Sequence, residues 1–167
     1  MLNAGTLAPP FELTLVGGGR ASASQLSADA KPSLLVFFKT ECPTCRLAFP
    51  FLQRIWKRIE KAPHPVGFLA IAQNAPADIP GFMAGYGATF PVATESEPYA
   101  TADRYEIANV PSIFLLDEHG VILQTAVGFA RHEYDALAEE LLSRAGAGKL
   151  GSLFTAADAS VPVLQPG

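Results

Sequence analysis

Short runs of apolar residues separated by polar turns extend along most of the chain and predict alternating strands and helices. The apolar run over residues 34–38 is unbroken, which is typical of a strand buried on both faces. Apolar residues then recur at three- and four-residue steps, which predicts a helix with one buried face; they are Phe49, Leu52, Trp56 and Ile59. A second apolar run over 66–72 predicts another buried strand. This order favours a parallel strand pair joined by a right-handed crossover.

The other patterns add shorter elements around this unit. Strands are predicted at 11–15 and around 90–92, and a β-hairpin at 112–125 with its turn at 117–120. Helices are predicted over 42–61, 76–86, 99–106 and 133–145, and Pro50 should kink or restart the first of them. We therefore predict one α/β domain over 1–146. The tail over 147–167 is rich in Gly, Ala, Ser and Pro, so we expect it to be packed on the surface or partly disordered.

Composition narrows the possible functions. With 167 residues, 49% of them apolar, the chain can bury a sizeable core. A net charge of −4 without Lys/Arg clusters argues against nucleic acid as a partner. No apolar stretch approaches the roughly 18–20 residues that span a bilayer. The first residues lack the pattern of a signal peptide, so we expect a cytoplasmic location for the sequence as it stands, or an extracytoplasmic one if it has been trimmed.

The only two cysteines, Cys42 and Cys45, lie at the predicted junction between a strand and a helix. Residues three apart on a helix have Cβ atoms about 5–6 Å apart, and disulfides form at Cα separations of about 4.4–6.8 Å. The two sulfurs can therefore be joined or separated without a change of fold. Because helix N-termini stabilise anions, we predict that Cys42 is the exposed, attacking thiol and Cys45 the buried, resolving one.

Three other interpretations of the pair are a zinc site, a structural disulfide and two inert buried thiols. Zinc needs two more nitrogen or sulfur ligands, and the three histidines are scattered at positions 64, 119 and 132. A disulfide across four residues closes too short a loop to stabilise much. The strand–Cys-x-x-Cys–helix context favours a redox function, for which no metal or other cofactor is expected.

A second feature is Val110-Pro111, just before the predicted hairpin. A trans proline is tolerated at the first residue of a strand and is the commoner form, since only about 5–6% of X-Pro bonds are cis. A cis bond would instead expose the Val110 backbone beside the thiols, where an extended substrate could pair with it.

Residues 37–45, Phe-Phe-Lys-Thr-Glu-Cys-Pro-Thr-Cys, followed by Phe49-Pro50, resemble the active site of the thioredoxin superfamily. Residues 86–92 and 110–120 resemble its TlpA/ResA-like branch, which is related to the peroxiredoxin-like alkyl hydroperoxide reductase proteins. The resemblance extends over about residues 5–145. It implies a thioredoxin-like α/β fold, with a central mixed sheet flanked by helices, an N-terminal strand extension, an insertion before the proline, and a cis bond at Pro111.

The resemblance implies thiol–disulfide exchange with protein substrates and a redox partner, and we expect a monomer. It places catalysis on Cys42 and Cys45 and substrate contacts on Pro43, Thr44, Val110 and Pro111. Relatives carry a proton-accepting acid at the positions of Val36 or Ala48, which are apolar here, and commonly a tryptophan at that of Glu41. Glu41, the only acid next to the motif, is therefore the candidate proton acceptor.

Two alternatives come from the same superfamily. A peroxiredoxin-like thiol peroxidase would carry a threonine three residues before its reactive cysteine and a proline four further back, where this chain has Lys39 and Leu35. A metal-binding or non-catalytic module is the other. Copper-delivering relatives use Cys-x-x-x-Cys with a histidine near the proline, and this chain has the shorter spacing and no histidine near Val110.

Overall fold

A mixed β-sheet forms the centre of the computed structural model, which describes residues 1–27, 31–149 and 151–167. Within these ranges its strands are β1 (Glu12–Leu15), β2 (Arg20–Ser22), β3 (Ser33–Phe38), β4 (Gly67–Ala72), β5 (Val92–Thr94), β6 (Ser112–Leu116) and β7 (Ile122–Val127). Their spatial order is β2-β1-β5-β4-β3-β6-β7. Strands β3, β4 and β5 are parallel, whereas β6 and β7 are antiparallel to their neighbours. The antiparallel pair β1–β2 extends the sheet beyond β5.

Helices cover this sheet, and a short β-ribbon lies beside it. The helices are α1 (Ala23–Ser27), α2 (Pro43–Ile59), α3 (Ile79–Gly85), α4 (Ala100–Arg104) and α5 (Arg131–Arg144), with 3₁₀ turns at Pro76–Asp78 and Ala156–Asp158. The ribbon pairs β8 (Phe129–Ala130) with β9 (Leu164–Gln165) in antiparallel register. None of the described helices is long and apolar enough to cross a bilayer.

Strand β3 alternates between two cores. Val36 and Phe38 pack on one face of the sheet with residues of α2 and α5. Phe37 packs on the other face with Tyr105 and Phe114, whose rings lie 5.2 and 6.0 Å from its own. Both faces are covered, which explains why the strand reads as an unbroken apolar run.

The structure confirms the predicted fold class and both buried parallel strands. Of the two outcomes expected at Pro50, a kink or a restart, the restart does not occur, because α2 continues through this residue. Pro50 is exposed, while Phe49, Phe51 and Leu52 around it are buried, and their packing holds the helix together where the proline lacks a backbone N–H. The short strands β2, β8 and β9 were not predicted. Position 150 of the predicted tail lies outside the described residues.

Candidate active site

The two cysteines lie at the first turn of α2, directly beyond the carboxyl end of β3. Cys42 is the N-cap of the helix, and its Sγ accepts a hydrogen bond from the backbone N–H of Cys45 at 3.2 Å. Pro43 follows at the first helical position, where its fixed φ favours the helix and no N–H is lost. The sulfur therefore lies at the end of the helix where the backbone N–H groups have no intrahelical partner, and one of these groups already donates to it.

The two thiols differ in burial, as their positions on the helix predict. Cys42 is partly exposed, whereas Cys45 is fully buried, and both are free thiols. Burial raises the pKa of the Cys45 thiol, and its hydrogen bonding with Cys42 raises it further. Cys45 is therefore held in the protonated form, behind a Cys42 that solvent can reach.

The loop before β6 completes the opposite side of the site. The Val110-Pro111 bond is cis, as the family resemblance implied. The thiol of Cys42 donates a hydrogen bond to the Val110 carbonyl oxygen at 3.3 Å. Pro111 is buried and its carbonyl accepts the Gly128 N–H at 2.8 Å, so the loop is fastened to the chain leading into β8. The Val110 backbone is thus held next to the exposed sulfur.

A groove of about 270 Å³ opens beside Cys42. Its lining includes Lys39, Pro43, Gln73, Asn109, Val110 and Gly167. Two of the polar residues in this lining come directly after parallel strands, Lys39 after β3 and Gln73 after β4. The Gln73 N–H donates to the Phe38 carbonyl at 3.0 Å. The Cys42 sulfur is thus partly exposed at a groove.

Asn74 secures the loop that presents Cys42. Its Oδ1 accepts the Thr40 N–H at 2.9 Å, and its Nδ2 donates to the Glu41 carboxylate at 2.8 Å. The Thr40 hydroxyl also donates to Glu41, at 3.1 Å. The hydrogen bonds that the Glu41 carboxylate accepts hold its pKa below the usual range, and the bond from Asn74 has the largest effect. Glu41 is therefore a weaker base than an ordinary glutamate, and its role as proton acceptor stays a prediction.

Asn74→Ala is expected to raise the pKa of Glu41 towards its ordinary value, because the strongest hydrogen bond to the carboxylate is lost. Loss of two hydrogen bonds should also lower the free energy of unfolding by about 1–2 kcal/mol. The carboxyl carbon of Glu41, followed by NMR across a pH titration, measures the first effect. Asn74→Asp keeps the acceptor for Thr40, loses the donor to Glu41 and adds a like charge beside it, so it should raise the pKa of Glu41 further. An unchanged Glu41 pKa in both variants would contradict the assignment.

The last residues of the chain also reach the site. Gln165 Nε2 donates to the Thr44 hydroxyl at 3.0 Å, and that hydroxyl donates to the Pro166 carbonyl at 2.7 Å. Gly167 lies against the Val110 carbonyl: a Cβ added to it would be 3.0 Å from that oxygen. Thr44, an expected substrate contact, is thus occupied by the tail.

The structure brings six of the predicted site residues together: Cys42, Pro43, Thr44, Cys45, Val110 and Pro111. It turns the seventh, Glu41, towards Asn74. Sequence reasoning missed Asn74. This residue lies two positions beyond β4, the parallel neighbour of β3, and polar residues just beyond the carboxyl ends of parallel strands commonly lie in functional sites. The contact of Gln165 and Pro166 with Thr44 had no such signal, since more than a hundred residues separate them.

A thiol pair at a helix N-terminus, beside a cis proline that precedes an antiparallel strand, defines the thioredoxin-like class. Known proteins agree. The Redoxin family matches residues 3–142. The chain is 31% identical over 126 residues to the thioredoxin-like protein YneN of Bacillus subtilis, covering 74% of this chain and 71% of that one. It is 26% identical over 129 residues to the thiol-disulfide oxidoreductase ResA of Halalkalibacterium halodurans, covering 77% and 70% of the two chains.

Solved structures show the same fold. A putative thiol:disulfide interchange protein DsbE from Chlorobium tepidum superposes with a TM-score of 0.72 at 27% identity, over 87% of this chain and all of that one. A putative protein disulfide isomerase from Bacteroides thetaiotaomicron gives a TM-score of 0.78 at 21% identity, over 86% of this chain and 91% of that one. The chain belongs to the Redoxin family, as a TlpA/ResA-like member of the thioredoxin superfamily.

Proposed function

We propose that this protein exchanges disulfides with protein substrates through Cys42 and Cys45. The observation that carries the proposal is the position of the Cys42 sulfur. It accepts a hydrogen bond from the Cys45 N–H and donates one to the Val110 carbonyl of the cis Val110-Pro111 segment. The family is one of thiol–disulfide oxidoreductases, which supports the reaction class. The groove beside Cys42 and the backbone of Val110 support an extended polypeptide as the substrate.

The reaction runs in two steps. The Cys42 thiolate attacks one sulfur of the substrate disulfide, forms a mixed disulfide, and releases the other substrate sulfur as a thiolate that takes up a proton. Cys45 then loses its proton and attacks Cys42, which breaks the mixed disulfide and releases the second substrate thiol. The substrate gains two electrons and the protein is left with a Cys42–Cys45 disulfide. A dithiol partner restores the pair, and the same steps in reverse make the protein an oxidant.

Equilibration with a graded series of glutathione or dithiothreitol redox mixtures tests the proposal. We expect a single two-electron transition between two free thiols and one disulfide, read by alkylation and mass spectrometry, and we expect the reduced protein to reduce insulin. A pair that stays in one state across the whole series would contradict redox cycling. Rapid formation of sulfenic acid at Cys42 with hydrogen peroxide would instead favour a thiol peroxidase.

A further inference from the structure

The segment 151–167 is fastened firmly at its base. Arg54 of α2 binds the Asp158 carboxylate with both guanidinium nitrogens, at 2.7 and 2.8 Å. Asp158 is buried, and this pairing holds the pKa of its carboxyl well below the usual range. Arg131 of α5 donates to the carbonyls of Asp158, Val161 and Pro162. Two arginines from two helices therefore fix the path of the chain as far as Pro162.

Apolar packing adds to this anchor. Leu153 is buried and its N–H is bound by the Asp135 carboxylate at 2.6 Å. The Phe154 ring lies 4.6 Å from the ring of Phe51 and 5.8 Å from that of Phe129. The base of the segment is thus part of the folded domain.

The end of the segment is held differently. Residues 164–167, which we call the strap, contact the domain through the short β8–β9 pairing and the two hydrogen bonds on the Thr44 hydroxyl. The side chains of Val163 and Leu164 are 69% and 64% exposed. The strap is held by a few neutral hydrogen bonds and little apolar burial, so it can be lifted at low cost while the anchor stays in place.

The strap lies where an extended substrate would have to lie. The Thr44 hydroxyl is engaged as both donor and acceptor by strap residues. Gly167 covers the Val110 carbonyl beside the Cys42 sulfur. A polypeptide that pairs with the Val110 backbone must displace the strap, whereas a small disulfide can enter the groove from the side of Lys39 and Gln73 without moving it.

We propose that the strap is a built-in gate, which competes with polypeptide substrates for the Thr44–Val110 side of the groove and leaves small disulfides free to react. This inference rests on the function proposed above and adds a layer of substrate selection to it. The gate has two states, strap seated and strap lifted, and a polypeptide selects the lifted state by binding where the strap sits.

Two full-length variants remove the Nε2 donor to the Thr44 hydroxyl and so loosen the strap. Gln165→Ala deletes most of the side chain, and Gln165→Met keeps its length without the donor. Val163→Ala is the matched control, because it shortens an exposed side chain of the same segment.

The measurement is the rate of reduction of insulin and of hydroxyethyl disulfide by each protein. Loss of the one hydrogen bond between Gln165 and Thr44 predicts that insulin reduction rises about three- to tenfold in the strap variants. Hydroxyethyl disulfide reduction should stay within about twofold, since Cys42 itself is unchanged. Both rates of Val163→Ala should match those of the wild type.

Hydrogen exchange gives an independent readout. Exchange over residues 163–167 should quicken when a Cys45→Ser protein carries a peptide on Cys42, and stay unchanged when it carries mercaptoethanol.

Equal acceleration of both substrates, no change in either, or slower insulin reduction would each overturn the gate. If no form of the protein reduces even the small disulfide, the proposed function fails and the gate fails with it. If the small disulfide reacts and the ratio of the two rates does not change, only the gate is wrong.

Discussion

Cys42→Ser is expected to reduce disulfide exchange to the uncatalysed background. Cys42 is the partly exposed thiol at the groove, while Cys45 is fully buried behind it. A serine hydroxyl cannot form the mixed disulfide, and Cys45 cannot reach a substrate in its place.

Cys45→Ser is also expected to abolish turnover, but it should trap a mixed disulfide that the Cys42→Ser protein cannot form. Attack by Cys42 still occurs, but nothing resolves the product, so a mixed disulfide with the substrate accumulates. Turnover of insulin should fall to background, while one substrate chain per protein becomes covalently attached. Non-reducing electrophoresis and mass spectrometry of the Cys42 peptide measure the trapped species.

The two serine variants serve as controls for each other. Each should keep the fold of the wild type, which circular dichroism checks. Continued turnover by the Cys45→Ser protein at the wild-type rate would show that another thiol resolves the intermediate. Trapping on Cys45 in the Cys42→Ser protein would show that the attacking and resolving thiols have been assigned in the wrong order.

Resolution of the mixed disulfide is expected to quicken steeply with pH. Cys45 must become a thiolate before it attacks Cys42, and burial raises the pKa of Cys45. Below that pKa, each rise of one pH unit increases the thiolate fraction about tenfold, so the resolution rate should rise about tenfold per unit between about pH 7 and 9. The sign follows from the direction of the shift, because a raised pKa leaves less thiolate at neutral pH.

A carboxylate near Cys45 should weaken this dependence. Ala48 lies three residues further along α2 and is fully buried, so its Cβ is about 5–6 Å from that of Cys45. Ala48→Glu would place a carboxylate at an apolar position close to Cys45, and the neutral-pH rate should rise while the pH profile flattens. Ala48→Gln is the matched control, since it adds the same bulk, with a similar packing cost of about 1–3 kcal/mol, but accepts no proton.

Single-turnover release of the second substrate thiol, followed by stopped-flow across the pH range, measures the resolution step. A wild-type rate that is equally fast at neutral and alkaline pH would mean that another group already takes the proton. Equal rates for Ala48→Glu and Ala48→Gln would mean that bulk, and not the carboxylate, changes the site.

Local sequence patterns determined the two elements that position the cysteines. The unbroken run in β3 and the three- to four-residue spacing in α2 specify a buried strand followed by a one-faced helix. Those two elements place Cys42 at a helix N-terminus and Cys45 one turn inside, which sets their difference in burial. Interactions within a few residues of each other are readable from sequence because strand and helix periodicity fix which side chains share a face.

Contacts between distant segments were decided only by the tertiary structure. The cis geometry at Pro111 followed from family resemblance, since the residues themselves left both isomers open. Asn74 reaches Glu41 because two parallel strands end at the same edge of the sheet, and Gln165 reaches Thr44 because Arg54 and Arg131 direct the tail back across α2. Such contacts depend on how helices and strands pack in three dimensions, and no short-range pattern records that packing.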